Sequence, residues 1–71
     1  MKITWEKEND YYVGYARDGK IRIPTFKIMP VMSCPNKKIL LVWVNTPNGY
    51  VQSAQFEHLR DAKLFCRKII E

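Results

Sequence analysis

The chain opens with short segments in which apolar and polar positions alternate, and only its last quarter changes to a helical period. Met1 to Glu6 alternates, with Ile3 and Trp5 on one side, and predicts a short strand. Lys7 to Asp10 is polar and reads as a turn. Tyr11 to Arg17 is rich in aromatic residues and reads as a second strand. Asp18-Gly19 then supplies a two-residue hairpin turn that needs positive φ. The return strand begins Lys20-Ile21-Arg22-Ile23 and ends or bulges near Pro24, which has no N–H to donate, with Thr25 to Ile28 as its extension. Met29 to Lys38 contains Pro30 and Pro35 and has no period, so it reads as a loop whose Met29, Val31 and Met32 fold back on the domain. Lys38 to Asn45 is a strand by its β-branched content. It is apolar on both faces, the pattern of a central strand or of one with a second covered surface. Thr46-Pro47-Asn48-Gly49 suits a three-residue hairpin loop leading into a last strand, Tyr50 to Phe56.

From His58 onward the period is helical. His58 stands at the N-cap with Asp61 three residues on, and Glu57 is the alternative start. Leu59, Ala62, Cys66 and Ile69 share one stripe, widened by Phe65 and Ile70, and that stripe is core. Leu64 projects away from it. Arg60, Lys63 and Arg67 form a basic ridge on one flank, open to two readings: a solvated face, with Arg67 and Lys68 complementing the helix dipole, or a second, weaker binding ridge. The predicted fold is α+β: a four- or five-stranded antiparallel sheet of hairpins over about residues 2–56, with one C-terminal helix over about 58–70 packed on one face. The whole chain, 1–71, is a single domain.

The hairpin turns set registers. Around Asp18-Gly19, Arg17 faces Lys20, Ala16 faces Ile21, Tyr15 faces Arg22 and Gly14 faces Ile23. One face then holds Tyr12, Gly14, Ala16, Ile21 and Ile23, suited to lying beneath the helix. The other interleaves Tyr11, Val13, Tyr15, Arg17, Lys20 and Arg22, and opposed like charges there require solvation or a neutralising partner. Pairing Thr46 with Tyr50 sets Val44 opposite Gln52, Val42 opposite Ala54 and Leu40 opposite Phe56. Trp43 then falls on the alternate face with Ile39, Leu41, Val51, Ser53 and Gln55. The candidate binding surface is the face with Tyr11, Tyr15, Arg17, Lys20, Arg22 and Trp43, where rings can stack on bases and cations can meet phosphates.

Composition narrows the classes. Seventy-one residues, 46% apolar and 13% aromatic, are too apolar for a disordered chain and sit near the lower limit for a self-sufficient core. Twelve Lys and Arg against seven Asp and Glu leave a net charge of +5, which favours acidic partners. Ile39 to Val44 is far short of the roughly 18 apolar residues that span a bilayer, so no membrane partner is expected. Cys34 and Cys66 form no Cys-x-x-Cys pair and read as two reduced thiols in a cytosolic protein, with a disulfide between them as the alternative. His58 is the sole histidine, and the Cys66 thiol beside it belongs to the core stripe, so no nucleophile–base pair is formed. Cys34, His58 and Cys66 lack zinc-ligand spacing. Gly14 reads as a packing gap for a helix side chain, which leaves no glycine-rich phosphate loop. The expectation is a binding protein without enzymatic activity, cofactor or metal.

The order hairpin, hairpin, helix, with Trp5, Tyr11 and Trp43 followed by Phe56-x-x-Leu59-x-Asp61-Ala62-Lys63, resembles a class of short phage and prophage proteins. These pair a small antiparallel sheet with a helix opened by F-x-S/T-L-x-E/D-A-K; His58 departs from the Ser or Thr of that pattern. The resemblance implies an accessory or anti-defence inhibitor that docks on a host protein or protein–nucleic acid complex. The layers also resemble the sheet-plus-helix DNA-binding domains of AP2 type and of integrase amino-terminal arms, without the AP2 spacing of glycine and arginine. That resemblance implies direct DNA or RNA binding through the exposed sheet face. A homodimer formed through the same face is a third expectation.

Overall fold

The structure, a computed structural model, describes residues 2–33 and 37–70, with only the backbone of Ser33. Strands β1 (Lys2–Glu8), β2 (Tyr11–Asp18), β3 (Ile21–Ser33), β4 (Lys37–Thr46) and β5 (Gly49–Phe56) form one antiparallel sheet in the order β1-β2-β3-β4-β5. Helix α1 (Leu59–Ile70) follows and packs across β4 and β5 on one face. The α+β fold expected from the pattern is the observed one.

Tight turns hold the hairpins. Asn9, at φ 49°, turns β1 into β2, and asparagine tolerates this left-handed region better than most residues. Lys7 and Glu8 therefore belong to β1 instead of a turn. Gly19 adopts φ 64°, but the turn is Gly19-Lys20 and not Asp18-Gly19. Asp18 stays in the strand opposite Ile21, Arg17 faces Arg22, and Lys20 sits in the turn. A register shift of two leaves Tyr12 to Arg17 and Ile21 to Ile23 on their expected faces, because the strand period is two, while Lys20 leaves the strand for the turn. At the β4–β5 hairpin Thr46 pairs with Gly49 instead of Tyr50, around a two-residue turn, Pro47-Asn48. The Thr46 hydroxyl donates to the Gly49 carbonyl at 2.7 Å and accepts from the Asn48 N–H at 3.2 Å.

The main departure concerns Met29 to Lys38. Its described residues are not a loop: β3 runs on to Ser33, β4 starts at Lys37, and the two pair from Phe26–Val44 to Ser33–Lys37. Pairing between β2 and β3 stops at Tyr12 and Ile28, so beyond that point β3 has a neighbour on one side only. Pro30 lies there, opposite Leu40, where a residue without an N–H costs no ladder bond on the open side. Val31 and Met32 are exposed on this arm and do not fold back. Cys34, Pro35 and Asn36 lie outside the described residues.

Phe26 and Ile28 of β3, Leu40 and Val42 of β4, and Ala62 and Cys66 of α1 form the buried core. Ile3, Trp5, Tyr12, Val44, Ala54, Phe56, Leu59, Phe65 and Ile70 pack around it. Ile69, expected in the core stripe, is exposed at the end of the helix. Ile21 and Ile23 occupy the helix-side face as expected, yet both are exposed because the helix does not reach the β2–β3 turn. The amide of Ala62 donates to the His58 carbonyl at 3.2 Å, which makes His58 the N-cap. Lys37 pairs with Glu57 and ties the start of β4 to the helix entrance; that cation holds the Glu57 carboxyl below its usual range.

Gly14 serves a different neighbour from the one its sequence position indicates. A Cβ there would lie 2.7 Å from the Trp5 ring, which stands directly opposite on β1. The gap admits Trp5, not a helix side chain, and the indole then stacks on Phe26 with centroids 6.4 Å apart.

Candidate functional site

With α1 on one face, the other face of the sheet is open, and two β-bulges decide what stands on it. In the β2–β3 pairing the register shifts between Gly14 and Tyr15 of β2, so Thr25 of β3 is the extra residue. A bulge inverts the alternation of its strand. Before it, Arg22 shares the face of Tyr15 and Arg17; after it, Phe26 and Ile28 turn to the core and Lys27 to the open face. In β5 the shift between Val42 and Trp43 makes Ser53 the extra residue. Phe56 and Ala54 thus face the helix, whereas Tyr50 faces the open side, opposite Asn45. Asn45 donates to the Pro24 carbonyl at 2.8 Å and Thr25 to the Ile23 carbonyl at 2.9 Å, which satisfies the backbone around the first bulge.

The open face consequently carries ordered rows. Glu6, Val13, Lys27, Trp43 and Gln52 lie in register across the five strands. Lys2, Arg17 and Arg22 make a second row at the end near the β2–β3 turn. Tyr15 stands between the rows, opposite Pro24. The Lys27 ammonium lies 5.0 Å from the Tyr11 ring centre and 4.6 Å from that of Tyr50, bridging rings on both sides of its own strand. The Arg22 guanidinium lies 4.4 Å over the Tyr15 ring and donates at 2.8 Å to the Glu6 carboxylate. Val13, in register between Glu6 and Lys27, is buried on this face, apart from the helix-side core cluster.

The polar ends are set as donors. Tyr11 donates to the Glu8 carboxylate at 3.1 Å, and that bond with the carboxylate charge raises its phenol pKa. Burial, then the neighbouring Tyr15, raises that of Tyr50. Both phenols keep their protons well past neutral pH. The Trp43 indole N–H is buried and has no acceptor among the described residues, a position that costs on the order of 1–3 kcal/mol if left unmade.

Of the residues singled out from sequence, Tyr11, Tyr15, Arg22 and Trp43 come together on the open face. Arg17 joins the basic row at its end, and Lys20 lies in the adjoining turn. Lys27 and Tyr50 were missed, because an unbroken alternation assigns Lys27 no ring partner and turns Tyr50 toward the helix. Pro24 was the available signal for the first bulge; no comparable residue marks the second.

Compared with protein families, curated proteins and solved structures, the chain matches none.

The basic ridge of α1 divides. Arg60 is exposed, 4.0 Å from the Asp61 carboxylate. Lys63 reaches over the sheet instead, 5.7 Å from the Trp5 ring centre and 5.8 Å from that of Tyr12. Arg67 lines a cleft with Lys2, Ile3, Trp5, Lys63 and Leu64. Cys66 is a buried free thiol, and burial pushes its pKa up to about 12, so it is no nucleophile in the folded chain. Among the described residues no group of His, Cys, Asp and Glu could hold a metal ion, and no helix is long and apolar enough to cross a membrane.

Proposed function

We propose that this is a non-enzymatic binding protein whose open sheet face takes single-stranded nucleic acid. The observation that carries the reading is the juxtaposition on one face of four aromatic side chains, Tyr11, Tyr15, Tyr50 and Trp43, with Lys27 held against the rings of Tyr11 and Tyr50 and Arg22 against that of Tyr15. Flat rings accept any base by stacking, and cations at their rims meet the sugar–phosphate chain. The row Lys2–Arg17–Arg22 opposes like charges across three strands, an arrangement that a polyanion relieves. A net charge of +5 adds long-range attraction.

Sheet width argues against duplex. Neighbouring strands are about 4.8 Å apart, so five are roughly 19 Å across, wider than the B-DNA major groove of about 12 Å. Bases already free to stack are the better fit to a broad platform. Fluorescence anisotropy with a labelled single strand tests the reading. Tyr15→Ala and Trp43→Ala should each weaken binding while the far-ultraviolet spectrum and melting stay those of a folded chain. Unchanged affinity in both would contradict it.

A second reading, docking on a host protein or protein–nucleic acid complex in the manner of phage accessory factors, is favoured by the apolar arm of β3 and β4, where Met29, Val31 and Met32 are exposed. It predicts that Met32→Lys abolishes capture of a protein partner without touching nucleic-acid affinity.

A further inference from the structure

A cleft lined by cations lies between the β1 edge and α1 and adjoins the open face. It encloses about 380 Å³ and is lined by Lys2, Ile3, Trp5, Lys63, Leu64 and Arg67, with no carboxylate among the described lining residues. Cations thus converge over an indole floor from two separate elements. Lys63 is drawn in from the helix, its ammonium 5.7 Å from the Trp5 ring centre. Lys2 belongs to both places: it lines the cleft and is also the outermost member of the row Arg22–Arg17–Lys2. Positive charge therefore runs from Arg17 on the open face through Lys2 at the exposed edge strand to Lys63 on the helix side, while Arg22 at the inner end of the row is paired with Glu6.

We infer that this cleft is a second subsite for the same strand, taking its sugar–phosphate backbone as the strand leaves the sheet face and turns around the β1 edge. The inference rests on the single-strand reading above. Lys2 and Lys63 neutralise successive phosphates, and the Trp5 ring offers a face to a base or sugar. The sheet face alone accommodates a short oligonucleotide; a longer one reaches the cleft.

Trp5 and Trp43 are the two tryptophans and report separately. In Trp43→Phe, Trp5 is the sole indole. Oligothymidylates of about 4 and about 12 nucleotides bracket what one such platform occupies. The longer one should change Trp5 emission and the shorter should not. In the otherwise natural chain, Lys63→Gln, which keeps most of the stem over Trp5 and Tyr12, should weaken the longer oligonucleotide several-fold by anisotropy and leave the shorter unaffected. Binding of the longer oligonucleotide with silent Trp5 emission and equal affinity in Lys63→Gln would overturn the inference while sparing the sheet-face reading. Failure of both oligonucleotides to bind would remove the two together. A change of Trp5 emission with polyglutamate but not with either oligonucleotide would overturn it in favour of an acidic polypeptide.

Discussion

The ammonium of Lys27 lies 4.6 Å from the ring centre of Tyr50, two strands away across the open face of the sheet. Neither residue would stand there in an unbulged sheet. The extra residue Thr25 turns Lys27 outward, and the extra residue Ser53 does the same for Tyr50. If Tyr50 is a stacking platform, Tyr50→Ala should weaken single-strand binding by about 1–3 kcal/mol, roughly 5- to 150-fold. Lys27→Ala should weaken it too and lower its salt dependence, whereas Tyr50→Phe should be nearly neutral. Anisotropy titrations of the three variants check this.

Glu6 competes with the proposed ligand for Arg22. The pair is 2.8 Å long and nearly half-exposed on both sides, so it is screened and contributes little to folding. Glu6→Gln should leave the melting temperature almost unchanged and tighten oligonucleotide binding by about fivefold, the equivalent of about 1 kcal/mol. Weaker binding would mean that Glu6 positions Arg22 productively.

Gly14 and Trp5 are a matched pair. Gly14→Ala puts a Cβ 2.7 Å from a ring that is itself stacked on Phe26, so the clash cannot be relieved by swinging a flexible tip. Overpacking of this kind costs about 1–3 kcal/mol. Thermal unfolding should show a fall of several degrees per kcal/mol in a domain of this size. Adding Trp5→Leu should recover part of the loss, as expected for residues in contact.

Much of this fold follows from local rules that a sequence displays. The strand–turn order, helix α1 (Leu59–Ile70) and its His58 cap depend on period and turn chemistry within a few residues. Elsewhere the deciding interaction is distant. The run from Met29 to Lys38 carries prolines and no alternation, and its described parts, Met29–Ser33 and Lys37–Lys38, become strand only through pairing between β3 and β4. Ile69 satisfies the helical stripe but overhangs the sheet, which no local pattern records. The site was half legible: Tyr11, Tyr15, Arg22 and Trp43 follow from parity along uninterrupted strands. Lys27 and Tyr50 follow only once the bulges are known, and a bulge is a compromise between two hydrophobic registers.

Cys66 should behave as a core residue under alkali. Burial raises its thiol from the ordinary value of 9.0, which the unfolded chain keeps, to about 12. Its raised pKa means that this contribution to stability is fully present below the unfolded value and is lost as pH climbs from there toward 12. In a Cys34→Ser background, a thiol reagent at pH 8 to 9 should label Cys66 only as fast as the chain opens. Labelling at the rate of a free thiol would contradict the packing described.

The most direct test of the open-face account is the salt dependence of affinity for a single strand and for a duplex of the same sequence. Lys2, Arg17, Arg22 and Lys27 stand on the face; at about −0.7 per phosphate contact, log K should fall against log salt with a slope of about −3 for the single strand. The duplex should bind more weakly throughout. No detectable binding of the single strand at about 50 mM salt, where such contacts are strong, or equal affinity for the duplex, would contradict the account.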